Sequence, residues 1–417
     1  VTSSASDAPP ALPAQEAATL APDRPRVVEV TSEPAEAWDA LAVRSPRGEA
    51  LQSHAWGEVK RAAGWTPRRY RIEDAAGPVA VVAVQERALA APVVGRLPGA
   101  ARYHDRAGAF GRFVYAPLGP VLLRDDPGAA IAALHGLRAV ARARHAALLL
   151  IDPSWPADAP LAEALAASGF ARARRPVQVS TTATLVPLER DEAAQWKHLN
   201  ANARRNVERC RKAGVAVERM DAGTPGLALE RALGVAYEML AETGRRKGFG
   251  DRLRPASYHN PAQQRLVEAG HASLWLARVG GEEVAHTLVH HCGRRALLFQ
   301  AGEREAGQRR VPANFLLQWS IIRWAAGSGF TAYDMGGVDN HDAPGLPTDE
   351  SHPLWNLYRF KSQWGARGVQ LVGAWEVAPW PLLGRGLRAA WAASDRWRER
   401  RVWVREAALL GEEGSPE

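Results

Sequence analysis

Apolar and polar positions along the chain switch between a helical and a strand-like period, and the switches outline the elements. Over Leu51 to Trp65 (LQSHAWGEVKRAAGW) the pattern predicts a short amphipathic helix, and the unbroken apolar run Val79 to Val84 predicts a buried strand. Tyr115-Ala116-Pro117-Leu118-Gly119-Pro120 is a turn-rich bend between apolar runs. Ile131 to Arg144 predicts a helix, Ala147 to Ile151 a strand, and Leu161 to Ala167 a helix stopped by Gly169. A second cycle follows: a helix over Ala193 to Ala213, a strand over Val215 to Met220, and a long amphipathic helix over Leu227 to Arg245. Gly280-Gly281 between Leu274–Val279 and Glu283–His291 signals a hairpin, and Ala296 to Ala301 adds a third strand. Pro312 opens a helix reaching about Ala326, and Thr331 to Met335 is a strand ending at Gly336-Gly337. A polar, proline-containing loop runs from Val338 to Pro353, then come a strand over Val369 to Trp375 and a basic, Trp-rich helix over Leu382 to Val404. The alternation predicts a mixed α/β layer fold, and two cycles of similar length predict a duplicated one.

Length changes this picture in one respect: 417 residues exceed what one hydrophobic core holds, so two domains are expected. The net charge of +8 favours a polyanionic partner without choosing among RNA, phosphorylated metabolites and an anionic membrane surface. Cys210 and Cys292 are too few and too far apart for a disulfide framework or a structural zinc site. The Pro-, Ala- and Ser-rich start to Arg26 lacks a basic stretch followed by an apolar one, so it reads as a disordered tail rather than a signal peptide. No apolar run reaches the roughly 18–20 residues that span a bilayer, so a soluble, cytoplasmic protein is expected.

Candidate chemistry concentrates in three places. Between Ala193 and Ala213, Ala203, Val207 and Cys210 share an apolar face while Arg205, Arg209 and Lys212 keep the same spacing on another, with Arg204 and Arg211 nearby. Guanidinium forks at one-turn intervals can clamp phosphates; a solvated face neutralised by Glu208 is the competing reading. Asp334-Met335-Gly336-Gly337 ends a strand in two glycines, which permits close approach to the backbone and frees amides to donate. Tyr358-Arg359-Phe360-Lys361 puts two aromatics and two cations in four residues, able to stack a base or sugar, to bind phosphate, or to stabilise charge in acyl transfer. His286, His290 and His291 lack a metal pattern, since His291 points away from the face the other two share. The terminal helix either packs its Trp face on the core, the favoured reading, or lies at a membrane interface.

Taken in order, LQSHAWGEVKRAAGW, YAPLGPVL, ANARRNVERCRKAGVAVE, the helix to RRKGFGDRL, YDMGGV and LYRFKSQWG resemble the FemABX family of peptidoglycan-bridge aminoacyltransferases, over about Leu51 to Gly365. The resemblance implies two tandem domains of the Gcn5-related N-acyltransferase (GNAT) fold: residues 27–176 on the precursor side, 177–365, and a strand with a basic helix (366–405) returning to the first domain, between tails 1–26 and 406–417. It implies transfer of an amino acid from an aminoacyl-tRNA to a stem-peptide amine of a peptidoglycan precursor, lipid II or UDP-MurNAc-pentapeptide. No metal or bound cofactor is required, because the ester is already activated. It also leaves room for peripheral contact with the inner face of the membrane.

By the same resemblance, Lys60 and one of Arg204 or Arg205 bind precursor phosphates, and Tyr115 and Tyr258 line the precursor cleft. Phe360 and Lys361 serve the aminoacyl-tRNA end and the transfer step, with Gly336, Gly337, Tyr358 and Arg359 beside them. Two departures stand out: Leu118 replaces a basic residue in the bend, and the segment from Met220 to Tyr258 has no room for the coiled-coil arm of some members. An acyl-CoA enzyme of the same fold is the first alternative, but Ala306 to Ala313 (AGQRRVPA) lacks the glycine spacing that cradles a pyrophosphate. A non-catalytic binder of RNA or anionic lipid is the second.

Overall fold

The computed structural model describes residues 25–389, apart from 46–47, 90–110, 158–159, 175, 179, 306–310 and 341–342. Two sheets organise it. The first runs β1 (Arg26–Glu29), β2 (Thr66–Asp74), β3 (Gly77–Ala88), β4 (Arg112–Ala116), β6 (Ala146–Ile151), β15 (Trp375–Val377) and β7 (Ala171–Arg172), with β5 (Val121–Leu122) paired beside β3. The second runs β9 (Ala216–Met220), β10 (Ala272–Val279), β11 (Glu282–Cys292), β12 (Arg295–Glu303), β13 (Ala332–Asp334), β8 (Thr182–Pro187) and β14 (Arg367–Gln370). Place by place the two orders repeat each other. In both, only the fourth and fifth strands are parallel, β4 with β6 and β12 with β13. A parallel pair needs a crossover, supplied by α3 (Pro127–Ala143) in the first sheet and α9 (Asn314–Gly327) in the second.

The repeat is not a simple tandem, because the sixth strands are exchanged. After β7 the chain lays β8 into the second sheet, and after β14 it returns to lay β15 between β6 and β7 of the first. The single strand expected over Val369 to Trp375 is therefore two strands in different sheets, separated at Gly373, whose φ of +67° turns the chain.

Helices α1 (Ala35–Arg44) and α2 (His54–Ala62) join β1 to β2, while α5 (Glu192–His198) and α6 (Ala201–Lys212) join β8 to β9. The one helix expected over Ala193 to Ala213 is broken because Asn200 caps α6: its side chain accepts from the Ala203 N–H at 2.8 Å. Helices α7 (Gly226–Lys247) and α8 (Ala256–Glu268) follow β9, with one 3-10 turn (Gly250–Arg252) between them. Pro261 lies inside α8, and so conceals that helix from pattern reading. Helices α4 (Leu161–Ala167) and α10 (Trp355–Ser362) complete the set used below.

Ile72, Leu134, Leu149, Trp155 and Trp375 belong to the core of the first sheet, and Val207, Ile321, Tyr333 and Trp364 to that of the second. A third cluster joins Trp56 and Val59 of α2 to Leu229, Met239 and Leu266 of α7 and α8. Each such side chain contributes about 1.5–3 kcal/mol by leaving water, so the two sheets are held by shared apolar packing as well as by exchanged strands. Cys210 lies in the second core, with its thiol raised by burial. The terminal helix is described over residues 381–389, with Leu387 buried against Ala147 and Leu148; the remainder expected to Val404 lies outside the described residues. Among the described residues no helix is long and apolar enough to cross a membrane.

Candidate active site

β12 and β13 pair only from Arg295 opposite Ala332 to Leu297 opposite Asp334. Beyond that point β12 continues to Glu303 while β13 ends, and the strands part. Lys361 fills this opening. It is 5% exposed, and its Nζ donates to the carbonyls of Gly336 at 3.0 Å and Gly337 at 2.7 Å. The Gly336 oxygen also accepts from Thr184 Oγ1 at 2.6 Å. An ammonium has three donors, so one N–H remains after the two carbonyls are served. Burial pulls the Lys361 pKa down to about 8, and Asp334 and Asp339 pull in the other direction.

The two glycines are needed here for the protein's own packing. Gly336 has φ +79°, and a Cβ on it would stand 3.4 Å from the Leu298 carbonyl and 3.8 Å from Lys361 Nζ. A Cβ on Gly337 would overlap the Ser180 side chain. Asp334 fixes the turn by accepting from the Gly336 N–H at 2.8 Å, and its other oxygen lies 3.5 Å from Arg295. Arg295 in turn reaches Glu49, which precedes α2, so the strand end carrying the lysine cradle is tied by charge to the first unit.

Asp339 anchors the loop beyond the glycines. It accepts from Thr181 Oγ1 and Thr182 Oγ1, both at 2.6 Å, and from the Thr182 N–H at 3.1 Å. Burial alone would raise this carboxyl, but hydrogen bonds from Ser180, Thr181 and Thr182 outweigh it and hold the pKa below its ordinary value. A lowered carboxylate contributes stability that is full above the unfolded pKa and is lost as pH falls through the folded one. Asp339→Asn is expected to cost about 1.5–3 kcal/mol near neutrality and to flatten the acid limb of a melting-temperature profile below about pH 4. Urea unfolding at several pH values checks both.

Lys361 belongs to α10, and helical geometry sends its neighbours elsewhere. Phe360 packs on Phe315 and Trp364, with ring centroids at 5.5 and 6.1 Å; Tyr358 is half-buried beside Trp355, and Arg359 is exposed. Lys60 and Tyr258 meet across the two units. Lys60 Nζ donates to Tyr258 OH at 3.0 Å and stands 4.6 Å over the Trp56 ring. Both line a cavity of 210 Å³ with Arg252, Arg254, His259 and Gln300, and no carboxylate faces it. Tyr115 is instead committed to Asp152, donating to Oδ2 at 2.6 Å, while the Leu118 N–H donates to Oδ1 at 2.6 Å. Burial pushes Asp152 up to about 7 against those hydrogen bonds. Arg204 and Arg205 lie apart from the Lys60 cavity, in an open groove of 640 Å³ with Trp196, Arg209 and Lys212.

His286 and His290 are buried, and burial lowers each to about 3; His290 bonds Gln263 at 2.9 Å and stacks on Phe299. No group of metal-competent side chains occurs among the described residues. Thr184, Asp339, Arg295 and Glu49 carry the site's framework and were not singled out in the sequence. Ser180-Thr181-Thr182, three adjacent hydroxyls before a strand, is the only signal that could have marked one of them.

The doubled strand order, each sheet with one parallel pair in the fourth and fifth places, defines a tandem fold of the GNAT type. Residues 198–343 match the acetyltransferase (GNAT) domain model. The chain is 23% identical to the lipid II:glycine glycyltransferase of Staphylococcus aureus strain MRSA252, over 81% of this chain and 90% of that one. It is similar to the crystal structure of FemX with a TM-score of 0.67 at 19% identity, covering 88% of this chain and 99% of that one. A conserved protein of unknown function from Bacteroides thetaiotaomicron has a TM-score of 0.50 at 10% identity, over 84% and 98% of the two chains. The chain resembles the FemABX aminoacyltransferases in sequence and fold, and it carries a GNAT acyltransferase domain.

Proposed function

We propose that this enzyme moves an amino acid from the 3′ ester of an aminoacyl-tRNA to an amine on the stem peptide of a peptidoglycan precursor. The observation that carries the reading is Lys361, a buried ammonium held by two carbonyls where β12 and β13 part, with one donor left for a reacting oxygen. The amine nitrogen attacks the ester carbonyl and forms a tetrahedral oxyanion. The C–O bond to the 3′ oxygen then breaks, and that oxygen leaves with the electron pair and takes up the proton the amine releases. Lys361 acts electrostatically on the oxyanion and is not a nucleophile, because its lone pair is protonated while it serves both carbonyls. Phe360 anchors the helix that bears Lys361 by packing on Phe315 and Trp364, and Gly336 and Gly337 set the position of the ammonium.

The cavity around Lys60 and Tyr258 suits the precursor's phosphates: it offers Lys60, Arg252 and Arg254 and no carboxylate. Lys60→Met is expected to raise the apparent KM for precursor about tenfold with kcat retained, the signature of a lost ground-state contact. The KM should also become less sensitive to salt. A loss confined to kcat would contradict this placement. The whole reading is tested by radiolabelled transfer to lipid II, or to its nucleotide-linked precursor, from charged tRNA and separately from acyl-CoA. Product with charged tRNA supports it; product with acyl-CoA alone overturns it.

A further inference from the structure

The groove on α6 is separate from the cavity that holds Lys60, and its chemistry is different. The apolar face of α6, Ala203, Val207 and Cys210, is buried in the second core. Its outer face carries Arg204, Arg205, Arg209, Arg211 and Lys212 against the single carboxylate of Glu208, which Arg211 engages at 2.6 Å. Among the described residues Arg204, Arg205 and Lys212 make no ion pair. Trp196 of α5 forms one wall, with Arg211 stacked 5.5 Å from its ring.

This surface is joined directly to the helix that bears Lys361. The Asn200 N–H donates to the Gln363 carbonyl at 2.9 Å, and Asn202 Nδ2 donates to Gln363 Oε1 at 2.6 Å. Gln363 lies two residues beyond Lys361. The start of α6 is therefore fastened to the end of α10, and exposed Arg359 lies on that same helix. We infer that the α6 groove is the docking surface for the phosphate backbone of the donor's acceptor arm, a proposal that rests on the tRNA-dependent reading above. Rows of arginine and lysine along a groove hold a nucleic-acid backbone without reading its sequence. An anionic membrane is the weaker fit, because the groove exposes no large apolar side chain. Those are found instead near residue 380, where Trp380 and Leu382 are 43% and 76% exposed.

The test is a triple variant, Arg205→Gln, Arg209→Gln and Lys212→Gln, all at exposed positions, in the full chain. Transfer is measured with full-length charged tRNA and with a short aminoacylated oligonucleotide that carries only the single-stranded 3′ end. The expected result is a KM raised at least about tenfold for tRNA, a shallower salt dependence of roughly 0.7–0.9 per lost phosphate contact, and a change below about twofold for the oligonucleotide. Fluorescence anisotropy with uncharged tRNA reads the same surface without turnover. An unchanged KM and unchanged tRNA affinity overturn the groove while leaving the reaction in place. Equal losses with both donors, a raised KM for precursor alone, or lost binding to phosphatidylglycerol vesicles with tRNA affinity intact also overturn it. If the parent enzyme yields no product from charged tRNA, the underlying reaction is wrong, and the anisotropy result still decides whether the groove binds RNA.

Discussion

Lys361→Met is expected to reduce kcat by about 100- to 1,000-fold, the range seen when one donor to a developing oxyanion is removed. Methionine matches the length of the side chain, so the opening between β12 and β13 stays filled. Thr184 still serves the Gly336 carbonyl, and only the Gly337 oxygen loses its partner. The melting temperature should therefore move by no more than about 2–4 °C. Rates for the parent should fall as pH rises through about 8, where the buried ammonium loses its proton. Stability changes the other way: the folded pKa lies below the unfolded value of 10.5, so the unfolded chain binds more protons between the two. The parent thus gains stability with rising pH across that window, and Lys361→Met should lack the gain. Single-turnover kinetics with a pH series, alongside thermal unfolding, checks all three statements. A variant with parental rates would remove Lys361 from the chemistry.

The second large effect is on folding. A chain stopped after Leu371 keeps both crossover helices and the whole second sheet, yet should yield no cooperatively folded protein. It lacks β15, which hydrogen-bonds to both β6 and β7, and with it Trp375 of the first core. Loss of a buried tryptophan alone costs about 3–5 kcal/mol, against a total stability of about 5–15 kcal/mol for a domain. The exposed edge of β6, Leu149-Leu150-Ile151, would then be an unpaired apolar strand, prone to aggregation. The comparison to make is soluble yield and circular-dichroism melting against a chain ending at residue 389. A sharp transition in the shorter chain would mean that β15 is dispensable.

Much of the architecture was readable because strand and helix periods are clean where burial is one-sided. Leu161–Ala167 is a helix over the span its pattern predicts, and the hairpin at Gly280-Gly281 joins β10 to β11. The failures have particular causes. Asn200 caps α6 within an otherwise continuous helical pattern, and Pro261 hides α8. β14 and β15 form one apolar run that two different sheets divide, which no local pattern can encode. For the site, Lys361 stood out as a lysine among aromatics, but its cradle did not: carbonyl groups carry no residue identity. Nor could spacing show that Lys60 faces Tyr258, since 198 positions separate them. Nor could it show that Arg204 and Arg205 line a separate groove.

The exchanged strands also constrain how the protein is made. β7 ends at Arg172 and β15 begins at Trp375, so the first sheet keeps a vacant lane while some two hundred further residues are translated. At roughly 5–20 residues per second that wait lasts on the order of 10–40 s. Throughout it the edges of β6 and β7 are open to any passing strand, including those of another nascent copy. Faster completion of the C-terminal segment, or a chaperone that shields the lane, should raise the yield of active enzyme more than any change to the core.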